Sequence, residues 1–177
     1  MSLFEDLCKK YNDKCIRDID FARTAGIRAA QFVDSFQKYI QAPEFYPVTD
    51  NSGKMNQEKY IKLVFVDING KETGKNYRSV SEMRFDSKGF LRFCISVVLE
   101  SEPRSYPKEG YQIDCGIRPL NDTQCRVFVG RPEDSISKEF IWTFDPELSD
   151  LGPLQYIVDL ITQQLDRQPF LNAPLAE

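Results

Sequence analysis

The sequence contains no histidine at all. That absence removes the Ser-His-Asp and Cys-His nucleophilic arrangements in their usual forms. It also removes imidazole-based zinc and non-haem iron sites, and the side chain most often used for proton transfer near neutral pH. No apolar run approaches the roughly 20 residues a membrane helix needs. The five cysteines, Cys8, Cys15, Cys94, Cys115 and Cys125, are widely spaced and include no CxxC pair. An odd number at such spacing reads as reduced thiols. Glu5 and Asp6 stand where a signal peptide would be basic and then apolar. Together these features lead us to expect a soluble, cytoplasmic protein with no membrane partner. A net charge of −4 and a pI near 5.1 lack the basic footprint of a general nucleic-acid binder, so no nucleic-acid partner is expected.

Phosphate and calcium loops are also missing. Asn69-Gly70-Lys71-Glu72-Thr73-Gly74-Lys75-Asn76 follows a strand-like run, but Asn69 replaces the first glycine of a phosphate loop and Asn76 replaces its hydroxyl. Aligning Gly70 to the glycine of a calcium loop places Phe65 and Asn76 at ligand positions that neither can fill. No metal site and no cofactor are expected.

What is present is the composition of one globular domain spanning 1–177. The chain is 41% hydrophobic and 28% charged and holds thirteen Phe, eight Tyr and one Trp. Such a chain can bury a core without covalent staples. Between a cap at Asn12 or Asp13 and about Gln41, Ile19, Ala22, Ala25, Ala29, Phe32, Val33, Phe36 and Tyr39 recur at helical spacing. Residues 43–59, with Pro43, Pro47 and Gly53, read as a loop. Tyr60 to Ile68 reads as a strand, and Asn76 to Phe85 as a weaker one. Four further segments alternate with period two: Phe90 to Glu100, Tyr111 to Arg118, Cys125 to Val129, and Glu139 to Phe144. Ser149 or Asp150 opens a last helix with Pro153 in its first turn and Pro169 beyond its end. The tail 170–177 reads as loose. Helix, consecutive strands and helix is an α+β order. We therefore expect an antiparallel meander of about 5–6 strands with both helices packed on one face.

The alternation also sorts candidate functional residues. Arg92, Arg118 and Arg126 share the outward parity of neighbouring strands with Asp114 and Glu139. Gathered guanidinium groups on a rigid sheet can hold a carboxylate or phosphate in a forked geometry. A module binding a small anionic ligand through Arg92, Arg118, Arg126 and Asp114 is one reading. Val98, Phe128 and Ile141 share the same parity, and an apolar patch there would mark an interface. A non-catalytic interaction protein that forms a homo-oligomer is the leading expectation. A third is an enzyme using carboxylate, Tyr or Lys chemistry near the 43–59 segment. Cys115, beside Asp114, has the parity of the buried face and reads as a core residue rather than a nucleophile.

Overall fold

The structure is a computed structural model that describes residues 2–50, 52–67, 71–73, 85–101, 108–131, 136–144 and 151–166. Helix α1 runs from Leu3 to Tyr39. Strands β1 (Phe45–Thr49) and β2 (Met55–Lys59) form a two-stranded hairpin. Strands β3 (Ile61–Phe65), β4 (Leu91–Glu100), β5 (Lys108–Pro119), β6 (Gln124–Val129) and β7 (Lys138–Thr143) form one antiparallel sheet in sequence order. Helix α2 (Gly152–Leu165) follows. This is the expected α+β architecture.

Both helices cover the same face of the sheet. Leu91, Phe93, Ile95 and Val97 of β4 meet Tyr111, Ile113, Cys115 and Ile117 of β5 in one core. Val127, Val129 and Trp142 continue it across β6 and β7. Ala25 and Ala29 of α1 are fully buried and carry little bulk, so the helix axis lies close to the strands. One turn on, Phe32 fills the space that opens. Its ring meets Trp142 edge-on at 4.8 Å and Phe93 at 6.4 Å, geometries favoured by the aromatic quadrupole. Leu154, Ile157 and Ile161 of α2 close the other side. The register pairs Phe93 with Cys115 and Cys115 with Val129, so the inward parity of three strands lies in one row.

The structure differs from the sequence reading at two elements. Helix α1 starts at Leu3, well before Asn12. Ser2 accepts a hydrogen bond from the Glu5 backbone, and the Glu5 carboxylate accepts one from the Ser2 backbone. That reciprocal cap satisfies two otherwise free N–H groups. Residues 43–59 are not a plain loop but mostly the β1–β2 hairpin. Its turn is held by Asp50, whose carboxylate accepts from the Ser52 and Lys54 backbone. Pro47 is tolerated because it sits in an exposed two-stranded hairpin rather than a central strand. The weaker strand Asn76 to Phe85 lies outside the described residues except for Phe85, which bridges to Leu91. The tail 170–177 also lies outside them.

Candidate functional site

The outer face of the sheet is covered, at one end, by the turn that enters β4. Asp86 organises this turn: its carboxylate accepts from the Lys88 backbone at 2.9 Å and the Phe90 backbone at 3.0 Å. Gly89 has φ +78, a left-handed conformation that favours glycine. The turn lays Phe90 on the outer face, where its ring meets Phe128 edge-on at 5.1 Å. Arg118 fastens the turn from outside, donating to the Lys88 carbonyl at 2.8 Å while its guanidinium lies 5.6 Å from the Phe90 ring centre.

Phe128 can lie flat here because the residue across from it on β5 is Gly116. A methyl group at Gly116 would come within 2.1 Å of the Phe128 ring. On the far side of Gly116 stands Arg92 of β4, and its guanidinium lies 4.9 Å from the Phe128 ring centre. Arg92 is only 7% exposed, and its Nε has no hydrogen-bond partner. Among the described residues no carboxylate pairs with it. Asp86, Ser87, Lys88, Phe90, Arg92, Phe128, Ser137 and Glu139 line a cavity of about 370 Å³ beside this cluster.

The four residues expected to bind an anion do not converge. Arg118 and Arg126 are direct cross-strand partners, and Arg92 lies one row away. Arg126 faces Glu139 at 3.8 Å. Asp114 accepts from Arg131 Nε at 2.8 Å and from the Cys94 thiol at 3.1 Å, away from the cavity. Of the four, Arg92 alone lines the cavity. Val98, Phe128 and Ile141 do not make a patch either. Phe128 is 3% exposed, beneath Phe90 and Arg92, and Ile141 is 45% exposed. Val98 lies six residues along β4 from the Arg92 row, roughly 20 Å at ~3.4 Å per residue. Sequence parity finds the outward face correctly, but it does not see the 85–90 turn folding over it. The Gly116–Phe128 pairing was the signal that could have shown Phe128 to be enclosed.

The thiols on the sheet are poor nucleophiles. Burial, then the neighbouring Asp114, push the Cys94 thiol up to about 12, and burial pushes Cys125 to about 11. Burial drives Cys115 well above its ordinary value. Such thiols carry almost no thiolate at neutral pH. Near the β1–β2 hairpin, Asp34, Lys38, Glu44 and Lys59 line a cavity of about 340 Å³. Glu44 faces Lys59 at 3.8 Å. Glu58 accepts from Lys62 and from the Tyr46 hydroxyl, and the Lys62 ammonium, first of these, holds its carboxyl below the usual range. Acids matched singly with lysines differ from the close carboxylate pair that acid-base catalysis by two carboxylates uses. Among the described residues, no group of three or more Cys, Asp or Glu side chains could hold a metal ion, and no helix is long and apolar enough to cross a membrane.

A second feature was not foreseen. None of residues 3–21 of α1 is buried among the described residues, yet Leu3, Phe4, Leu7 and Tyr11 are large and apolar, with Phe4 73% and Tyr11 69% exposed. Phe4, Leu7, Tyr11 and Cys15 continue, in steps of three, four or seven, into Ala22, Ala25, Ala29 and Phe36. A single stripe therefore runs the length of the helix. Its second half lies on the sheet; its first half, from Phe4 to Cys15, holds no buried residue, and beyond it Phe21 touches Phe85 at 5.3 Å between ring centres. No family model, curated protein or solved structure matches the chain.

Proposed function

We propose that the protein is a non-catalytic interaction protein whose docking element is the N-terminal half of α1, and that its partner is a second copy of the same chain. One observation carries this reading: the apolar stripe that α1 buries on its own sheet continues, unburied, through Phe4, Leu7 and Tyr11. Residues 3–21 span roughly 28 Å at ~1.5 Å per residue. Residues 3–14 are all exposed, and a partner laid along the stripe would take this apolar surface out of water and stabilise the segment. The charges favour an antiparallel copy. Glu5 and Asp6 come first in the segment, and Lys9, Lys10, Lys14 and Arg17 follow, with Asp13, Asp18 and Asp20 among and after them and Asp18 paired to Lys14. An antiparallel pair centred near residues 9 and 10 brings Lys9 and Lys10 of the two copies together but sets Asp6 of one beside Lys14 of the other, whereas a parallel pair would set every charge against its own kind. Opposite charges flanking an apolar seam select partner and orientation.

This keeps self-association as the leading function but moves its surface from Val98, Phe128 and Ile141 to α1. A cytoplasmic homo-oligomer remains part of the proposal. The test is the double variant Leu7→Glu, Tyr11→Glu, followed by light scattering at tens of micromolar. Wild type should be a dimer and the variant a folded monomer with unchanged near-ultraviolet circular dichroism. A wild type that is monomeric throughout, or a variant that remains dimeric, defeats the proposal.

A further inference from the structure

We infer that the cavity on the outer face of the sheet binds a small organic anion, which docks a carboxylate or phosphate group on the Arg92 guanidinium. The site lies on the sheet, apart from the docking half of α1, and stands or falls independently of it.

A buried guanidinium is costly unless acceptors replace its water. Arg92 is 7% exposed and its Nε is unpaired. The Phe128 ring, 4.9 Å away, recovers only part of that cost. A planar fork of donors with no acid paired to it among the described residues is matched to an oxyanion from outside. Nearby negative groups do not cancel it. The Asp86 carboxylate is engaged by the backbone of its own turn, and Glu139 faces Arg126. Lys88 adds a second cation at the rim, and no ion pair holds it among the described residues. Phe90 and Phe128 supply an apolar wall, while Ser87 and Ser137 supply hydroxyls. A cavity of about 370 Å³ lies within the size range of small-molecule sites. Arg118 acts as a positioning residue, since it holds the turn that carries Lys88 and Phe90.

The experiment is a heteronuclear NMR titration of the whole chain with inorganic phosphate and, separately, with benzoate. The benzoate arm offers a carboxylate with an apolar body, and the phosphate arm offers the oxyanion alone. At least one should shift the Gly116, Phe90 and Phe128 amides saturably in the millimolar range. Arg92→Met keeps the bulk and removes the charge, and should weaken binding by at least about tenfold. Arg92→Lys keeps the charge and loses the fork, and should fall between. If Arg92→Met does not fold, the wild-type and Arg92→Lys titrations decide. Saturable shifts centred on the cavity, weaker in Arg92→Lys, support the site. No shift with either anion, shifts spread over the surface, or equal binding by wild type and Arg92→Lys overturn it.

Discussion

Replacing Gly116 with alanine tests how the outer face is built. The new methyl group would stand 2.1, 2.5 and 2.9 Å from three Phe128 ring carbons, separations that no packed structure sustains. The strand cannot yield easily, because Gly116 is paired on both sides, with Arg92 and with Phe128. The ring must therefore tip toward the cavity it lines. Overpacking of this kind costs about 1–3 kcal/mol. Tipping also separates the ring from Phe90, an aromatic contact contributing about 0.5–1.5 kcal/mol, and from Arg92, a contact of about 0.5–2 kcal/mol. Against this, alanine recovers the roughly 0.5–1 kcal/mol that glycine loses in a strand interior. Taken at the middle of each range, the balance is a destabilisation of about 3–4 kcal/mol. The assay is urea unfolding of the single variants Gly116→Ala and Phe128→Ala and of the double variant. Removing the ring removes the obstacle, so the double variant should be about 2 kcal/mol more stable than the sum of the single changes predicts. A Gly116→Ala protein within about 0.5 kcal/mol of wild type, or additivity within the same margin, would refute the reasoning.

Two further outcomes follow from the core and the thiols. Trp142→Ala should cost about 3–5 kcal/mol, because the ring is almost fully buried among Phe32 and Phe144. Trp142→Phe should cost far less, since the indole N–H has no partner to lose, and denaturant midpoints check both. In the native state the exposed Cys8 should react with a thiol reagent at once, and the buried Cys94, Cys115 and Cys125 only on unfolding, as timed absorbance will show. The raised thiols also make stability depend on pH. The folded protein holds these protons more tightly than the unfolded chain, so their contribution is fully present below about 9 and is lost as pH rises toward the folded values of about 11 for Cys125 and about 12 for Cys94. Unfolding midpoints should therefore fall as pH rises from about 9 toward about 11, and Cys94→Ala with Cys125→Ala should flatten the decline.

The sequence by itself determined which residues face inward. Period-two alternation is a backbone property, so Leu91, Phe93, Ile95 and Val97 had to share a face wherever that strand was placed. Polar turns between short strands made a meander, and the stripes of Ala25, Phe32 and Phe36 and of Leu154, Ile157 and Ile161 gave the helices that cover it. The early start of α1 was legible too, in Ser2 and Glu5 at capping-box spacing, although a cap at Asn12 or Asp13 competes with it on residue type alone. The hairpin at 45–59 was hidden because Pro47 and a mostly polar β2 lack the apolar alternation that marks a half-buried strand.

Only the tertiary structure decided what covers the outer face. Parity says that Arg92, Phe128 and Asp114 point the same way, but not which of them is enclosed. That depends on register, which sets Gly116 between Arg92 and Phe128, and on the 86–89 turn, which brings Phe90 down on the ring. Likewise, periodicity shows that α1 has an apolar side throughout, but not where the sheet beneath it stops. The sheet reaches only as far as Ala22, so Phe4, Leu7 and Tyr11 extend past it. Burial is a relation between segments far apart in the chain, and local pattern does not encode where a partner surface ends.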